Sequence, residues 1–516
     1  MEHVPALVIG AGPTGATAAI MLAQRGIACL VLDRWPEVYP LPRAVHFDDE
    51  VFRTLAGLGI EDRLRTISRP APGMQLVDSR LRVLAEFTRD PVGLLNGYPQ
   101  ANMFDQPDLE RLLRDRLAEL TGVRVRGGVE VYAVDQLPGG PGPVRVRYRD
   151  LATGTEHEVW ADAVLGCDGA NSLTRTGIGA GLYDLGFVQQ WLVVDVHSPQ
   201  PLNNYAGVQQ VCDHDRAATF MMVTPGRYRW EFRLRPGERA DDVTEAQILD
   251  LVRPWLGPAD AATLTILRRT WYTFRGAVAD RWQDRRVFLL GDAAHLTPPF
   301  IGQGMGAGIR DAANLTWKLA LVLTGRAGDR LLDTYESERL PYARRMIRMA
   351  VLVGWVMTGG SARTARLRRA ALATVSRLPG VDRRVVASAW PAYREGPLVA
   401  ARDRAAGRLC PQPRLAGELL DRRLGTGFAI IARGPGLPVY EPATRAWFDA
   451  LDLTVLDAAA DPSGTLARLL DQHAADALLI RPDRIIAASG DRPDLRVWQR
   501  MLQAAGIDAL SERQRA

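Results

Sequence analysis

The sequence predicts an α/β protein of three parts: a discontinuous domain of alternating strands and helices, a domain built on a mostly antiparallel sheet, and a small C-terminal α/β domain. Apolar runs alternate with helical patterns in residues 1–180, and this alternation returns in 275–345. Between them, 181–274 holds short runs rich in aromatic and β-branched residues, which is typical of antiparallel strands. From about Phe428 to the end of the chain, apolar runs again alternate with helical patterns, which predicts the small C-terminal α/β domain.

Each element follows from its own pattern. In the first domain, apolar spacing predicts an amphipathic helix over 105–120 and a strand over 123–134. The predicted strands of the middle domain are 191–196, 218–223, 228–234 and 264–274. The first domain then resumes with a strand at 287–290 and a helix over 306–323. The C-terminal strands are predicted at 428–431, 477–480 and 485–488.

Residues 346–400 carry helical sequence and are assigned to a helical linker. The arginine-rich segment at 363–369 is interpreted as a solvated helix face. Pro411 and Pro413 favour a boundary close to residue 400. We therefore assign 401–516 to the C-terminal domain.

The composition is typical of a globular protein. Of 516 residues, 64 are basic and 59 acidic, and no basic block is interleaved with aromatic residues, so nucleic acid is not predicted as a partner. No apolar run approaches the ~18 residues of a membrane span, and no signal peptide precedes the first strand, so we expect a cytoplasmic protein without membrane attachment. The four cysteines are widely separated, which predicts reduced thiols and no metal site: Cys29, Cys167, Cys212 and Cys410.

A glycine-rich loop lies between the first apolar run and the first helical pattern. Gly10 permits a tight turn, Gly12 lets the backbone approach a pyrophosphate, and Gly15 lets helix and strand pack closely. Pro13 and Thr14 complete the loop. The free N–H groups and dipole at the helix start attract phosphate. A second apolar run ends at Asp33, where an acid accepts hydrogen bonds from an adenosine ribose, so this region predicts dinucleotide binding.

Two further segments share this combination of strand, acid and glycine. Leu165 and Gly166 end an apolar run that leads into Asp168 and Gly169. Later in the chain, Gly291-Asp292-Ala293-Ala294-His295 is followed by two prolines and then by the glycines 302, 304 and 306 ahead of a long helical pattern.

Together the three segments resemble those of the class A flavoprotein aromatic hydroxylases, the single-component flavin monooxygenases. The chain is most similar to the branch of 3-(3-hydroxyphenyl)propionate hydroxylase, which is related to phenol hydroxylase and polyketide hydroxylases. The resemblance covers 1–345 well and is weak beyond residue 400. Further residues carry it: Pro42-Arg43-Ala44, Asp48-Asp49-Glu50, Gln190-Trp191, Val193-Val194-Asp195, Gly302-Gln303-Gly304, Arg310-Asp311, Asn314-Leu315, Thr334-Tyr335-Glu336 and Glu338-Arg339.

The resemblance implies a discontinuous, Rossmann-like FAD-binding domain of the glutathione-reductase type, an α+β substrate domain, and a thioredoxin-like C-terminal domain without redox cysteines. It implies non-covalent FAD, reduced by NADPH or NADH as a transient co-substrate. Oxygen is then captured as a flavin C4a-hydroperoxide and transferred to an electron-rich ring, either a phenol or a hydroxylated heteroaromatic such as a biosynthetic intermediate. Catabolic and biosynthetic roles and a homo-oligomeric state all stay open.

The same resemblance assigns the cofactor contacts. The glycine loop would hold the pyrophosphate, and Asp33 with Arg34 the adenosine. Asp292 would bind the ribityl hydroxyls, and the N–H groups at the start of the last helix would face the flavin pyrimidine edge. The full predicted set is Gly10, Gly12, Pro13, Thr14, Gly15, Asp33, Arg34, Arg43, Gln106, Val131, Asp168, Gly291, Asp292, Pro299, Gln303, Gly304, Met305 and Gly306. Asp168 and His295 are also interpreted as residues that orient loops or the nicotinamide route.

Candidates for the chemistry at the substrate are fewer. Tyr272, His46 and the backbone at Pro298 and Pro299 could help deprotonate a phenol, with Tyr272 favoured because its predicted strand leads back to the flavin loop. A packed tyrosine with a satisfied hydroxyl is the competing interpretation. Predicted substrate contacts, each also an ordinary core residue, are Trp191, Phe220, Met222, Tyr272 and Phe300.

The substrate itself is open. Arg227, Arg229 and Arg233 could reach a carboxylate, but strand alternation places all three on one face, which could be a solvent face. We therefore infer no acidic substrate. The bulky loop at 299–301 favours a larger or more hydrophobic one. Two alternatives to a monooxygenase also stay open: a flavin reductase or dehydrogenase on the same scaffold, and a non-catalytic FAD-holding protein.

Overall fold

The computed structural model describes residues 2–41, 43–93, 95–137, 142–202, 205–239, 242–257, 261–359, 392–394, 396–434, 441–490 and 495–508. Most of the predicted linker at 346–400, including the arginine-rich segment at 363–369, lies outside these ranges. The helix that enters it from the preceding domain, Arg330–Thr358, lies inside them.

The strands fall into two large sheets and three small ones. In chain order they are β1 (Glu2–Ile9), β2 (Cys29–Leu32), β3 (His46–Asp48), β4 (Ser68–Pro70), β5 (Gly73–Val77), β6 (Val83–Thr88), β7 (Ala101–Phe104), β8 (Val123–Arg126), β9 (Val129–Gln136), β10 (Val144–Asp150), β11 (Glu156–Gly166), β12 (Leu182–His197), β13 (Val208–Val211), β14 (Ala218–Thr224), β15 (Arg227–Arg233), β16 (Thr265–Ala279), β17 (Gln283–Asp284), β18 (Val287–Leu289), β19 (His295–Leu296), β20 (Arg414–Leu415), β21 (Glu418–Leu419), β22 (Ala429–Ala432), β23 (Thr454–Asp457), β24 (Ala477–Ile480) and β25 (Ile486–Gly490).

The helices connect these strands, and short 3₁₀ turns at Gly291–Ala293 and Pro299–Ile301 precede the seventh helix. The α-helices are α1 (Pro13–Ala23), α2 (Asp49–Leu55), α3 (Glu61–Ile67), α4 (Gln106–Glu119), α5 (Leu173–Gly177), α6 (Glu245–Leu256), α7 (Gly304–Leu323), α8 (Arg330–Thr358), α9 (Leu420–Leu424), α10 (Pro442–Asp449), α11 (Thr465–Gln472) and α12 (Leu495–Ala504).

The first large sheet is the mostly parallel one that the glycine loop predicts. Its strand order is β17-β18-β11-β1-β2-β8, and β10 pairs antiparallel with β11 and in turn with β9. Strands β1, β2, β8, β11 and β18 run parallel, so their carboxyl ends meet along one edge. In open sheets of this kind, ligands bind outside the carboxyl ends of the strands.

The second large sheet is mostly antiparallel, as predicted, with the order β19-β16-β12-β15-β14-β13-β5-β6. Strands β5 and β6 come from the span 1–180, so the sheet is not confined to the predicted range 181–274. The domain boundaries themselves stay a prediction. One face of the sheet packs on α6, whose amino end carries a capping box formed by Thr244 and Gln247.

The C-terminal part contains a sheet of order β23-β22-β24-β25, in which β22 and β23 are parallel and the other pairs antiparallel. With α10 and α11 between the first strands and α12 at the end, this is the arrangement that the thioredoxin-like prediction requires. The only cysteine of the 401–516 range is Cys410, which is buried.

A buried charged cluster joins this part to the first domain. Glu338 of α8 accepts hydrogen bonds from Arg481 at 2.7 and 2.9 Å and from Lys318 of α7 at 2.8 Å. Burial alone would raise the pKa of Glu338, but the charges of Arg481 and Lys318 lower it to about 2. Lys318 is the only lysine in the chain. Because loss of Glu338 would remove the buried carboxylate that Arg481 and Lys318 share, the cluster ties the two parts together.

Within the described ranges, no helix is both long enough and apolar enough to cross a membrane.

Candidate active site

A cavity of about 1050 Å³ runs from the carboxyl edge of the parallel sheet to the inner face of the antiparallel sheet. We call its two regions the loop end and the sheet end. The loop end is lined by the residues after β1, β2, β11 and β18 and by the start of α7. The sheet end is lined by side chains of β13, β14 and β15, together with Phe300 and Ile301.

The glycine loop forms one wall of the loop end. Gly10 has φ +100°, and a Cβ placed there would come within 2.4 Å of the Cys167 carbonyl oxygen. A Cβ on Gly15 would lie 1.9 Å from the Gly10 carbonyl oxygen. The packing of the protein's own backbone therefore requires glycine at both positions, whether or not a ligand is bound. A Cβ on Gly12 meets no protein atom within 4 Å and would project into open space. Gly12 thus leaves room for a ligand at the start of α1.

Asp33 and its neighbours follow β2 and also line the cavity. One Asp33 carboxylate oxygen accepts a hydrogen bond from the Ala11 N–H at 2.5 Å, and the other accepts from the Trp35 N–H at 2.7 Å. Asp33 therefore joins the glycine loop to the turn after β2. Arg34 lines the cavity beside it and pairs with Glu130 at 3.4 Å. Val131 lies on the same wall.

Gln106 organises the segment that carries Arg43. Its Oε1 accepts hydrogen bonds from the N–H groups of Arg43 at 2.9 Å and Ala44 at 2.6 Å, and its Nε2 donates to Glu110 at 2.7 Å. The carbonyl oxygen of Arg43 accepts from Arg229 of β15 at 2.8 Å. The Arg43 side chain is exposed and lines the cavity, so it is placed to meet an anionic ligand.

Asp292 presents an unpartnered carboxyl group to the loop end. The preceding Gly291 has φ +62° and donates its N–H to Asp311 at 3.0 Å, which fixes the turn. Asp292 lines the cavity and makes no side-chain hydrogen bond to any residue that the structure describes. Burial raises its pKa, and the charges of His295 and Arg43 oppose that rise. A carboxyl group that has no hydrogen-bond partner in the protein can accept hydrogen bonds from the hydroxyl groups of a ligand.

The turn into α7 closes the loop end. Gln303, Gly304 and Met305 line the cavity, and a Cβ on Gly304 would meet no protein atom within 4 Å. The Gln303 side chain turns away and accepts from Arg310 at 2.9 Å. Since the first N–H groups of a helix have no partner within it, α7 directs free donors at the cavity.

Asp168 and His295 are bonded within the protein. Asp168 lines the cavity, but its oxygens accept from Ser172 at 2.6 Å and from the Thr174 N–H at 2.9 Å. His295 is fully buried, and its Nε2 lies 2.8 Å from Asp311. Both contacts agree with the interpretation that these residues orient loops.

Several predicted residues do not line the cavity. Gly15, Gly291 and Gly306 lie in the packing behind the loop end. Tyr272 is half-buried on β16, with the Arg268 guanidinium 5.7 Å from its ring centroid. Pro298 lies outside the lining, whereas Pro299 and His46 belong to it. Burial lowers the pKa of His46.

The predicted substrate contacts divide between the two faces of the antiparallel sheet. Phe300 lines the cavity. Trp191 lies on the same face of the sheet but behind Phe300, at 5.6 Å between ring centroids. Phe220 and Met222 point to the opposite face, where Phe220 stacks in the aromatic core with Trp255. Sequence reasoning recognised these residues as apolar, but it left open which face each would occupy.

The residues that the sequence analysis missed are alternate residues on three adjacent strands, with even numbers on β13 and odd numbers on β14 and β15. Val208, Gln210, Thr219, Met221 and Glu231 all line the sheet end. Strand alternation was the available signal, because it puts these residues on the face opposite to Phe220. The arginines of β15 share this inner face: Arg229 is 1% exposed and pairs with Asp195 at 2.7 Å, so it does not face solvent.

The loop end fits FAD. Two glycines whose Cβ atoms would project into the cavity, a half-buried carboxyl at Asp292 with no hydrogen-bond partner among the described residues, and the amino ends of α1 and α7 all converge on one space. Those are the features that a diphosphate, a ribityl chain and an anionic ring edge require.

Comparisons with known proteins agree that the chain binds FAD. The family model described as FAD binding domain matches residues 3–350, and the one described as HcaD C-terminal domain matches 407–505. The chain is 33% identical over 498 residues to the probable NADH-specific resorcinol 4-hydroxylase of Rhodococcus jostii strain RHA1, covering 93% of this chain and 91% of that protein. It is 32% identical over 520 residues to the 3-(3-hydroxy-phenyl)propionate/3-hydroxycinnamic acid hydroxylase of Mycolicibacterium gilvum strain PYR-GCK, covering 94% and 89%.

Solved structures share the fold over almost the whole chain. The flavin-dependent monooxygenase PieE, solved with FAD and substrate, superposes with a TM-score of 0.80 at 24% identity and covers 98% of this chain and 99% of its own. Aklavinone-11 hydroxylase, solved with FAD and aklavinone, superposes with a TM-score of 0.79 at 23% identity and the same coverage. The family match over two thirds of the chain and the 33% identity to a full-length relative show that this protein belongs to the FAD-binding family of flavin-dependent aromatic hydroxylases.

Proposed function

We propose that this protein is an NADH- and O₂-dependent monooxygenase that hydroxylates an uncharged phenol held at the sheet end of the cavity, with FAD at the loop end. The observation that carries the proposal is the continuity of the two ends in one cavity. A substrate at the sheet end meets the cofactor without crossing solvent, which protects a reactive intermediate from water.

The residues at the loop end divide the cofactor between them. We propose that the amino end of α1 binds the diphosphate, Arg43 neutralises its charge, and Asp292 accepts from the ribityl hydroxyls. The free N–H groups at the start of α7 stabilise negative charge on the ring edge. Bound FAD supplies electron transfer from the nicotinamide and activation of O₂. Everything else in the reaction is binding, orientation and the exclusion of water by this chain.

The charges at the sheet end favour a phenol without a carboxylate. Arg229 lies behind the lining and is paired with Asp195, and Arg89 in the lining faces Asp48 and Asp49. Glu231 adds an acidic group to the same wall. Among the described residues at this end, Arg89 and Arg229 already face carboxylates, so a substrate carboxylate would meet Glu231 without a free countercharge, and buried charges of that kind are costly.

We also propose that NADH, rather than NADPH, is the reductant. The relative from Rhodococcus jostii bears a name that specifies NADH and resorcinol. We therefore expect resorcinol to accelerate NADH consumption more than 3-(3-hydroxyphenyl)propionate does, and NADH to reduce the protein faster than NADPH.

The test measures NADH oxidation, O₂ uptake and incorporation of labelled oxygen into resorcinol by FAD-loaded protein. Labelled product formed in step with NADH consumption supports the proposal. Hydrogen peroxide as the only oxygen product from every phenol would contradict it. NADH-driven turnover of an organic acceptor without O₂ would favour a reductase, and a yellow protein that NADH does not reduce would favour a non-catalytic role.

A further inference from the structure

The sheet end contains a row of polar side chains to which the proposed function assigns no step in the reaction. Glu231 on β15 lies directly opposite Thr219 on β14, and Thr219 lies directly opposite Gln210 on β13. All three line the cavity, and their exposed fractions are only 7%, 5% and 3%. Side chains opposite each other on antiparallel strands have Cβ atoms about 5 Å apart, so the three form one continuous row.

Gln210 anchors this row to the loop that leads to the flavin. Its Nε2 donates a hydrogen bond to the Phe300 carbonyl oxygen at 3.1 Å, which fixes the orientation of the amide. Its Oε1 is then directed elsewhere and has no hydrogen-bond partner among the described residues. A buried acceptor without a partner costs free energy unless a ligand or water supplies the donor.

Glu231 is the second unsatisfied acceptor. Its carboxyl group makes no hydrogen bond within the part of the chain that the structure describes, although it is 93% buried. The charged groups that face it are Arg229 on its own strand, Asp195 on β12 and Arg268 on β16. Both arginines pair with Asp195, at 2.7 and 3.0 Å, while their charges also act on Glu231 and oppose the rise of its pKa.

We propose, given the hydroxylase function above, that the row recognises the hydroxyl groups of a phenol and that Glu231 is the base that removes the phenolic proton. The phenolic O–H bond breaks and an O–H bond forms on a Glu231 oxygen. The negative charge left on the phenolate oxygen raises the electron density of the ring that is to be oxygenated. The hydroxylated product takes the proton back before it leaves. Gln210 Oε1 accepts from a second hydroxyl group.

The electrostatic surroundings suit this role. Burial raises the pKa of Glu231 to about 7, while the charge of Arg229 opposes the rise. Above this pH the carboxylate is free to accept a proton, and below it the carboxyl group is already protonated. An acid with a pKa close to the operating pH is an effective general base.

The test uses oxidised, FAD-loaded protein without nicotinamide, so that no turnover occurs, and 4-nitrophenol as the probe. Only the ionised form of this phenol has the visible absorption band, which is followed in difference spectra from about pH 5 to about pH 9. If the bound phenol and Glu231 share protons, the band appears in two steps, because interacting groups titrate as a pair. A single step in the wild-type protein would overturn the proposal even if no variant could be made.

The Glu231→Gln variant keeps the shape but cannot take the proton. We expect one ionisation step for bound 4-nitrophenol, a resorcinol Kd within about 10-fold of wild type, and hydroxylation slower by at least about 100-fold. A residue with only a structural role would move the Kd or the stability but would leave both ionisation steps in place. Glu86→Gln, on an exposed position of β6 in the same sheet, is the matched control and is expected to behave as wild type.

This result is separate from the fate of the proposed function. Two ionisation steps that become one in the variant support the assignment of Glu231 whether or not oxygen reaches the ring. Coupled hydroxylation of resorcinol that Glu231→Gln leaves unchanged in rate would support the proposed function and overturn the assignment.

Discussion

The two ends of the cavity are built in different ways. The loop end is made from short stretches of consecutive residues, and it offers a ligand backbone N–H groups, space left by glycines and a few carboxylates. The sheet end is made mainly from single side chains on β13, β14 and β15. Along each strand only every second side chain faces the cavity. Under the proposed function, FAD would be held by contiguous motifs, whereas substrate contacts would depend on which face of a sheet a residue occupies.

The largest effect that would test this contrast is expected at Gly15. In Gly15→Ala the new methyl group would lie 1.9 Å from the Gly10 carbonyl oxygen and 3.1 Å from a Val8 methyl carbon. Because backbone has to move, we expect a loss of about 3 kcal/mol or more in the free energy of unfolding, measured by chemical denaturation. Gly57→Ala, whose Cβ meets nothing within 4 Å, is the control and is expected to change stability by about 1 kcal/mol or less.

Gly12→Ala separates the ligand from the fold in the same loop. The added Cβ meets no protein atom within 4 Å. We expect apoprotein of unchanged stability that binds FAD at least about 100-fold more weakly, since only the ligand would collide. Full FAD occupancy in this variant would show that the diphosphate does not approach Gly12.

The next effect tests the two faces of β14. Phe220→Ala should cost about 3–5 kcal/mol of stability, because it empties the aromatic core behind the sheet, and should leave the KM for a phenol within about 3-fold. Met221→Ala, one residue along and facing the cavity, should change KM by more than its neighbour does. A change of substrate preference in the Phe220 variant alone would reverse the assignment of faces.

Asp292→Ala tests the carboxyl group at the loop end. Loss of this half-buried acceptor for ribityl hydroxyls should weaken FAD binding by about 10- to 100-fold, read from the fraction of yellow protein after dialysis. Asp292→Asn keeps an acceptor and should bind with intermediate affinity. A bright yellow, stoichiometrically loaded Asp292→Ala protein would exclude the ribityl contact.

The smallest effect is expected at Tyr272. Its side chain does not line the cavity, and it packs against Arg268. We therefore expect Tyr272→Phe to alter kcat and KM for resorcinol by less than about 3-fold. A drop of about 100-fold, at the scale of a general base, would return Tyr272 to the position that the sequence suggested and would weaken the case for Glu231.

Much of the fold could be predicted from local patterns. The helix predicted over 105–120 is observed as Gln106–Glu119, and the helix predicted over 306–323 begins two residues earlier, at Gly304. The strand predicted over 123–134 is two strands, β8 and β9, which flank Gly127 and Gly128. The long-range part was less accessible: β5 and β6 join the second sheet although they come from the first third of the chain.

What the sequence by itself determined is the cofactor and the class of chemistry. The glycine loop, Asp33 and Asp292 lie at the ends of strands and in the turns that follow them, so their spacing along the chain already indicates the lining of the loop end. Tertiary structure alone decided the sheet end. The register of β13, β14 and β15 turns Gln210, Thr219 and Glu231 toward the cavity and Phe220 away from it. A shift of one residue along a strand would move every side chain to the other face of the sheet.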